Sequence, residues 1–373
     1  MLADVKRLLL LLGVNGAALG VLIIGMLTVT DRYVQARART TLIYEGHPLH
    51  RQQLVPNQSV DVYGAHIDIG RHGLRGEAPM LPKPDTEARV FVMGGSSVFD
   101  INVSKSWAEA LTPGMRAAGA TQVRSYNAGM PGFTSRESLA LYEDKVRFLD
   151  PDVVVLYQGW NDAKYMHAFL DHVDVDGFYR LAADPADSYR FLTDPRPLRN
   201  IRALMRMLSD FGGNGLQEQV RQGRLRDAEL AQRDLDVDWM ASPGMGYWKR
   251  NLKDFVHAVE TDGAQPVLMA QATLVTEDLS QELRQRVRYK FVGVGHADIV
   301  QINELMVQTM REVAEEEGVP MIDVRSSLNG RSEYFADHVH LSPKGSAVLA
   351  RVAAPVLAQT LNKGRLSMNV AKP

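Results

Sequence analysis

Two segments far apart in the chain carry the residue types that nucleophilic catalysis requires. Ser96 lies in the glycine-rich segment 92–98, VMGGSSV, which continues an apolar run. Asp337 and His340 lie near the C-terminus at a one-turn spacing that lets the carboxylate reach the imidazole ring. A serine hydroxyl needs an imidazole to remove its proton, and a carboxylate to orient that imidazole and stabilise its charged form. The three side chains are therefore the candidate nucleophile, base and orienting acid.

The segment around Ser96 also has other interpretations. It lacks the lysine of the phosphate-binding pattern G-x-x-x-x-G-K-S/T and the glycine spacing of G-x-G-x-x-G. It does not match the nucleophile pattern G-x-S-x-G either. Seen alone, Ser96 is equally consistent with an ordinary turn serine, and His340 with a surface histidine. The catalytic hypothesis therefore depends on further groups that share the site.

Two more turns contain groups that suit an oxyanion site. The turn after residues 123–127 contains Gly132, and its backbone N–H groups can face the same crevice. The turn after residues 153–157 contains Asn161, whose amide can donate a hydrogen bond to developing negative charge. For both turns, the alternative is a purely structural role between a strand and a helix.

In chain order, these segments resemble the motif blocks of the SGNH hydrolases, the GDSL-like lipases and esterases. The blocks of that family are G-D-S, a glycine, G-x-N-D and D-x-x-H; the matching residues here are Gly94-Gly95-Ser96, Gly132, Gly159-Trp160-Asn161-Asp162 and Asp337-His338-Val339-His340. The resemblance covers roughly residues 60 to 361 and includes the flanks at 73–76 and 247–252. Gly95 stands where the family has its name-giving Asp, as in the G-G-S-S variant of bacterial envelope members. This departure keeps the nucleophile but argues against simple lipase specificity.

The resemblance implies acyl transfer through an acyl-serine intermediate. Ser96 attacks the ester carbonyl, His340 acts as base and then as acid, and Asp337 orients the imidazole. The backbone N–H groups of Ser96 and Gly132 and the amide of Asn161 hold the oxyanion. No cofactor is implied.

A metal site at His338 and His340 is a separate alternative. Beyond Asp337, which is assigned to orient His340, no further His, Asp or Glu at helical spacing accompanies the pair, so no metal is predicted there. Trp160, next to Asn161, is either a pocket-lining aromatic residue or part of the core.

Short apolar runs separated by amphipathic windows indicate how these groups are positioned. Five runs predict strands at 89–93, 123–127, 153–157, 266–270 and 320–324. Runs that are apolar throughout are typical of a parallel sheet buried on both faces. Capping boxes at Ser106/Glu109 and Thr134/Glu137 predict helix starts, and Ser342 followed by Pro343 predicts another. The fold class is therefore α/β, a doubly wound, flavodoxin-like parallel sheet of about five strands with helices on both faces.

The chain divides into five predicted segments. These are an N-terminal flank at 1–7, a transmembrane anchor at 8–30, a connector with an entry hairpin at 31–87, the hydrolase domain at 88–361 and a tail at 362–373. Within the domain, residues 163–245 contain no convincing core strand. We expect a helical insertion or lid there, with helices at 201–208 and 217–233.

Residues 8–30 contain no charged side chain. A helix of this length, at ~1.5 Å rise per residue, crosses the ~30 Å hydrocarbon layer. A cleaved signal peptide and a buried core helix are the alternatives, but the apolar stretch exceeds the ~7–15 residues usual for a signal. Positive residues flank both ends, so the positive-inside rule does not fix the orientation. We expect a single-pass protein of the cell inner membrane with a periplasmic or extracytoplasmic catalytic domain.

Composition excludes several function classes. The chain has no cysteine, which excludes disulfides, thiolate catalysis and cysteine-ligated zinc. The net charge of −2 gives no basic footprint for nucleic acid. We therefore expect no nucleic-acid partner.

The predicted function is a membrane-anchored serine esterase that removes acetyl or other short acyl groups from a carbohydrate or small ester. Two alternatives stay open. One is an O-acyltransferase that modifies an envelope polysaccharide, beside a membrane acyl-donor partner. The other is a catalytically silent carbohydrate-binding member of the fold. The motifs do not distinguish water from a sugar hydroxyl as the acyl acceptor.

Overall fold

The computed structural model describes residues 43–62, 64–166 and 229–370, with side chains in the last helix as far as 363, and the single positions 15, 16, 20 and 25. The stretches from residue 43 onward belong to one compact unit that comprises residues 43–181 and 223–373. The predicted anchor at 8–30, apart from those single positions, and the predicted helix at 201–208 lie outside the described residues. So does most of the predicted insertion at 163–245. None of the helices in the described part of the chain combines the length and apolar character needed to cross a membrane.

Two antiparallel hairpins precede the central sheet. Strand β1 (Tyr44–His47) pairs with β2 (Arg51–Leu54), and β3 (Gln58–Val62) pairs with β4 (Ala65–Ile69). The second hairpin lies where apolar and polar residues alternate in the sequence, at 60–69. Strand β4 alternates buried and exposed residues because one of its faces packs on the core.

The central sheet has five parallel strands. They are β5 (Ala88–Gly94), β6 (Val123–Gly129), β7 (Val153–Gln158), β8 (Gln265–Ala270) and β9 (Met321–Asp323), in the spatial order β6-β5-β7-β8-β9. This is the doubly wound order, so the predicted fold class is confirmed. Every residue of β5 and β7 is buried because helices cover both faces.

Strand ends differ from the predicted ones by one or two residues. Strand β9 is one residue shorter than predicted at each end and begins after Pro320, a residue that has no N–H to donate to a strand ladder.

Ten α-helices have both ends in the described part of the chain, besides two short 3-10 helices at Val146–Leu149 and Ser332–Tyr334. They are α1 (Ser96–Phe99), α2 (Trp107–Ala117), α3 (Ser135–Asp144), α4 (Trp160–Met166), α5 (Pro243–Thr261), α6 (Gln281–Arg284), α7 (Tyr289–Val292), α8 (His296–Glu317), α9 (Arg325–Leu328) and α10 (Pro343–Val370). Helix α2 packs against α10, and α5 packs against α3 and α8. The described end of the helix predicted at 217–233 is residue 230, three residues earlier than expected.

Helix starts follow the capping chemistry of the sequence. The carboxylates of Glu109 and Glu137 accept the backbone N–H groups of Ser106 and Thr134, as the predicted capping boxes require. Helix α10 begins at Pro343, and the Ser342 hydroxyl accepts the N–H of Gly345. These helix starts set the ends of the turns that follow the strands. The predicted site residues lie in such turns, at one edge of the sheet.

Candidate active site

The three predicted triad residues form one chain of hydrogen bonds. Ser96 is the first residue of α1, directly after β5, and its Oγ lies 2.7 Å from Nε2 of His340. Nδ1 of the same ring lies 2.7 Å from Oδ2 of Asp337. A proton on Nδ1, facing the carboxylate, leaves Nε2 able to accept the serine proton. The geometry is therefore that of a nucleophile, a base and an orienting carboxylate.

The turn before α10 holds Asp337 in place. Its Oδ1 accepts the backbone N–H groups of Val339 at 2.8 Å and His340 at 2.9 Å, which leaves Oδ2 for the imidazole. Burial alone would raise the pKa of the Asp337 carboxyl. The hydrogen bond and charge interaction with His340 outweigh burial and lower that pKa below its usual range. Asp337 is consequently ionised at neutral pH.

Gly132 lies in the turn between β6 and α3 with a φ of +81°, a conformation that favours glycine. Two side chains of β2 contact this turn. Nε2 of Gln52 donates to the carbonyl of Pro131 at 2.7 Å, and Nη2 of Arg51 donates to the carbonyl of Gly132 at 2.7 Å. Sequence reasoning did not single out either β2 residue, because nothing in their local pattern indicates a contact about 80 residues away.

Asn161 lies in the first turn of α4 and is buried. Its Nδ2 donates to the carbonyl of Phe133 at 2.8 Å, and Nε2 of Gln158 donates to the same carbonyl at 2.7 Å. An amide has two N–H bonds, so this contact fixes the Asn161 side chain and leaves the second N–H for an oxyanion. The structure thus brings Asn161 against the turn that contains Gly132.

Asp162 is a buried carboxylate that ties together the turns on either side of it. It accepts the N–H of Ser135 at 3.1 Å, the hydroxyl of Ser135 at 2.6 Å and Nε2 of Gln158 at 2.9 Å. Burial raises the pKa of Asp162 to about 6, although these hydrogen bonds act in the opposite direction. Its contacts hold the start of α3 against the start of α4.

Gln271, after β8, braces the nucleophile turn. Its Nε2 donates to Oγ of Ser97 at 2.8 Å, and its Oε1 accepts the N–H of Trp160 at 2.7 Å. Oγ of Ser97 in turn donates to the carbonyl of Val339 at 3.3 Å. The segments that carry Ser96, Asn161 and His340 are thereby linked.

Trp160 and His338 pack against each other behind the triad, with ring centroids 4.7 Å apart. Trp160 is 4% exposed and lines a cavity of about 220 Å³ together with Gln271 and Thr273. Burial lowers the pKa of His338 to about 4, so its ring is neutral. Trp160 is therefore both a core residue and a cavity wall.

One group with metal-ligand chemistry occurs in the described part of the chain: His47, His50 and Asp144. Both Nε2 atoms approach Oδ2 of Asp144, at 3.5 Å and 3.3 Å. The two rings stack with centroids 3.8 Å apart and an interplanar angle of 12°. Parallel rings cannot both direct a nitrogen lone pair at one ion, since a metal lies in the plane of each imidazole that binds it. The group instead joins the β1–β2 hairpin to the end of α3.

Asp100, which follows α1, was not identified from the sequence. It is buried, and it accepts the N–H of Trp107 at 2.9 Å and the hydroxyl of Ser346 at 2.9 Å. Burial raises the pKa of Asp100 to about 6. This carboxylate ties the end of the nucleophile helix to α2 and α10.

The chain matches one family of known proteins. Residues 92–348 match the family model described as the GDSL-like Lipase/Acylhydrolase family. No curated protein sequence matches the chain.

Several solved structures are similar at low sequence identity. The lipase/acylhydrolase from Enterococcus faecalis is 17% identical over 73% of this chain and 96% of its own, with a TM-score of 0.42. LAE5, an alpha/beta hydrolase enzyme from the metagenome of Lake Arreo, is 14% identical over 72% of this chain and 95% of its own, with a TM-score of 0.42. A catalytic mutant of Axe2, an acetylxylan esterase from Geobacillus stearothermophilus, is 12% identical over 71% of this chain and 92% of its own, with a TM-score of 0.42.

Proposed function

The chain belongs to the GDSL-like lipase/acylhydrolase family, and from that premise we propose that it is a serine esterase that works through an acyl-serine intermediate. The observation that carries the proposal is the continuous hydrogen-bond chain from Ser96 through His340 to Asp337. An isolated serine in a turn has no reason to lie 2.7 Å from an imidazole whose other nitrogen is bound by a carboxylate.

The proposed reaction has two half-reactions. In the first, Oγ of Ser96 attacks the ester carbonyl while Nε2 of His340 takes the hydroxyl proton. The tetrahedral intermediate collapses, and the leaving alcohol receives that proton from His340. In the second, His340 removes a proton from water, which attacks the acyl-serine carbonyl. The second tetrahedral intermediate collapses, the carboxylic acid leaves, and Oγ of Ser96 takes the proton back from His340. Asp337 stabilises the imidazolium in both steps.

Stabilisation of the tetrahedral oxyanion falls to three donors. These are the backbone N–H groups of Ser96 and Gly132 and the Asn161 amide. Among the described residues, neither backbone N–H donates to a protein acceptor. Donors fixed in advance at the position of the developing charge are among the largest contributions to catalysis, and loss of one costs ~10²–10³ in kcat.

The proposed substrate is a carbohydrate or small ester that carries an acetyl or other short acyl group. The support is the G-G-S-S form of the nucleophile turn, which resembles that of bacterial envelope members. Transfer to a sugar hydroxyl, beside a membrane acyl-donor partner, is the alternative outcome of the same acyl-serine.

The partition between these outcomes is measured with full-length protein and p-nitrophenyl acetate. Release of p-nitrophenol and of acetate is followed with and without acetyl-acceptor oligosaccharides. An esterase releases the two in equal amounts under both conditions. A transferase releases less acetate than p-nitrophenol when acceptor is present, and acetylated sugar accounts for the difference. Absence of p-nitrophenol release in the folded protein would contradict both and favour a silent carbohydrate-binding protein.

We also propose that residues 8–30 anchor the chain in the cell inner membrane, with the catalytic domain on the extracytoplasmic side. The support is the uncharged length of this segment. An alkaline phosphatase fusion after residue 40 tests it. Phosphatase activity in the membrane fraction is expected. An inactive fusion, or activity released into the soluble fraction by cleavage, would contradict the proposed topology.

A further inference from the structure

The β1–β2 hairpin contacts both peptide groups that flank the Cα of Gly132. Gln52 donates to the carbonyl of Pro131, and Arg51 donates to the carbonyl of Gly132, each at 2.7 Å. The two residues are neighbours at the start of β2, so both donors come from the same short strand. The two hydrogen bonds fix the planes of two successive peptides.

The Gln52 contact determines where the Gly132 N–H points. The carbonyl of Pro131 and the N–H of Gly132 belong to the same peptide group, and in a trans peptide they point in opposite directions. A donor on the carbonyl side therefore aims the N–H to the opposite side. Within the described residues this N–H has no protein acceptor. It is the group that the proposed mechanism assigns to the oxyanion.

We propose that the β1–β2 hairpin completes the oxyanion hole, with Gln52 and Arg51 as positioning residues for the Gly132 N–H. This inference rests on the proposed esterase function. The hairpin lies outside residues 92–348, the part of the chain that matches the family model.

Arg51 has an unusual backbone conformation, and its side chain makes contacts that hold it in place. Its φ is +74°, in the left-handed region that is unfavourable for residues other than glycine. Its guanidinium also lies 3.9 Å from the carboxylate of Glu137, the residue that caps α3. A non-glycine residue in this region persists only when its surroundings hold it there. Here the contact with Gly132 and Glu137 does so.

The residue before Arg51 anchors the hairpin as well. Nδ1 of the buried His50 ring donates to the Gln52 carbonyl at 2.9 Å, and its Nε2 lies 3.3 Å from Oδ2 of Asp144. Its edge meets the ring of Phe133 with centroids 5.9 Å apart. Since Phe133 directly follows Gly132 and Asp144 ends α3, His50 attaches the hairpin to the oxyanion turn and to the helix that follows it.

The test compares kcat and KM for p-nitrophenyl acetate in full-length variants. Gln52→Ala removes the donor, and Gln52→Glu places a carboxylate against a carbonyl oxygen at unchanged size. We expect kcat to fall about 10- to 100-fold in Gln52→Ala and further in Gln52→Glu, with KM changed less than about threefold, because the lost interaction acts in the transition state.

A second variant, at Arg51, is designed to keep the fold. Arg51→Gly removes the guanidinium at a φ that glycine adopts without cost, so the fold is retained while kcat falls. Arg51→Lys keeps one donor and should recover part of the activity. Gln53→Ala is the matched control, because Gln53 bonds Glu45 and Lys145 instead of the oxyanion turn. It should keep the wild-type kcat.

Ser96→Ala, measured in parallel, separates failure of the esterase proposal from failure of the hairpin proposal. If wild type and Ser96→Ala are equally inactive, the esterase proposal fails. If wild type is active and the folded Gln52→Ala and Arg51→Gly variants match it in kcat, only the hairpin proposal is overturned. A rise in KM at constant kcat would also overturn it, since that would indicate a role in substrate binding.

Discussion

A Cβ atom on Gly95 would lie 2.5 Å from Nδ2 of Asn161 and 3.3 Å from the carbonyl oxygen of Phe133. Asn161 already donates to that carbonyl, so its amide cannot retreat without breaking the bond. The aspartate that the family has at this position therefore does not fit while Asn161 keeps its place. The observed position of the Asn161 amide therefore requires glycine at position 95 of the G-G-S-S turn.

Gly95→Ala should consequently displace Asn161 and lower kcat by about 10- to 100-fold, as expected for a weakened oxyanion donor. The effect should not add to that of Asn161→Ala, because both changes remove the same interaction. Gly246→Ala is the control, since a Cβ there meets no atom within 4 Å. Steady-state kinetics of the single and double variants provide the measurement. Full additivity, or wild-type kcat in Gly95→Ala, would contradict the role given to Asn161.

Asp337→Asn should reduce kcat by about 10⁴-fold with little change in fold. An asparagine amide can donate to Nδ1 of His340, which moves the ring proton to Nε2 and removes the acceptor for the Ser96 hydroxyl. Asp278→Asn, at an exposed position, is the matched control. Kinetics and circular dichroism of both variants test this. A loss of less than about tenfold would show that the carboxylate does not set the tautomer.

Stability should depend on pH through Asp100, with a sign opposite to that of a salt-bridged carboxylate. Burial raises the pKa of Asp100 from 3.8 to about 6, so the folded state holds this proton more tightly than the unfolded state. Between these two values the free energy of unfolding falls as pH rises. A difference of about two pKa units corresponds to at most ~3 kcal/mol.

Urea unfolding of wild type and Asp100→Asn from pH 4 to pH 7 measures this contribution. The free energy of unfolding of wild type, minus that of the variant, should decrease as pH rises through this range. Asp162 also has a raised pKa, but it is present in both proteins and cancels in the difference. A difference that is constant or increases with pH would contradict the raised pKa of Asp100.

The sequence predicts those site residues that lie in short local motifs. Each apolar strand ends in a short polar turn, and parallel strands bring those turns to one edge, so Ser96 and Asn161 follow from the motif and the fold class together. The contacts of Arg51 and Gln52 could not be predicted in this way. They join residues about 80 positions apart, and a polar pair in a short hairpin has no periodicity that indicates its partner.

Buried polar residues were also missed for a physical reason. Asp100 resembles a surface residue in its sequence context, and its burial depends on hydrogen bonds from Trp107 and from Ser346, 246 residues further along the chain. Only the packing of α10 against α2 brings Ser346 to this carboxylate.

The most direct test of the central claim is covalent labelling of full-length protein with a fluorophosphonate, followed by digestion and mass spectrometry. We expect one adduct, on Ser96, that forms far more slowly in His340→Ala and is absent in Ser96→Ala. Ser97→Ala, which changes the neighbouring hydroxyl, should still be labelled on Ser96. A folded wild-type protein that takes up no label, or an adduct that persists in Ser96→Ala, would contradict the assignment of Ser96 as the nucleophile.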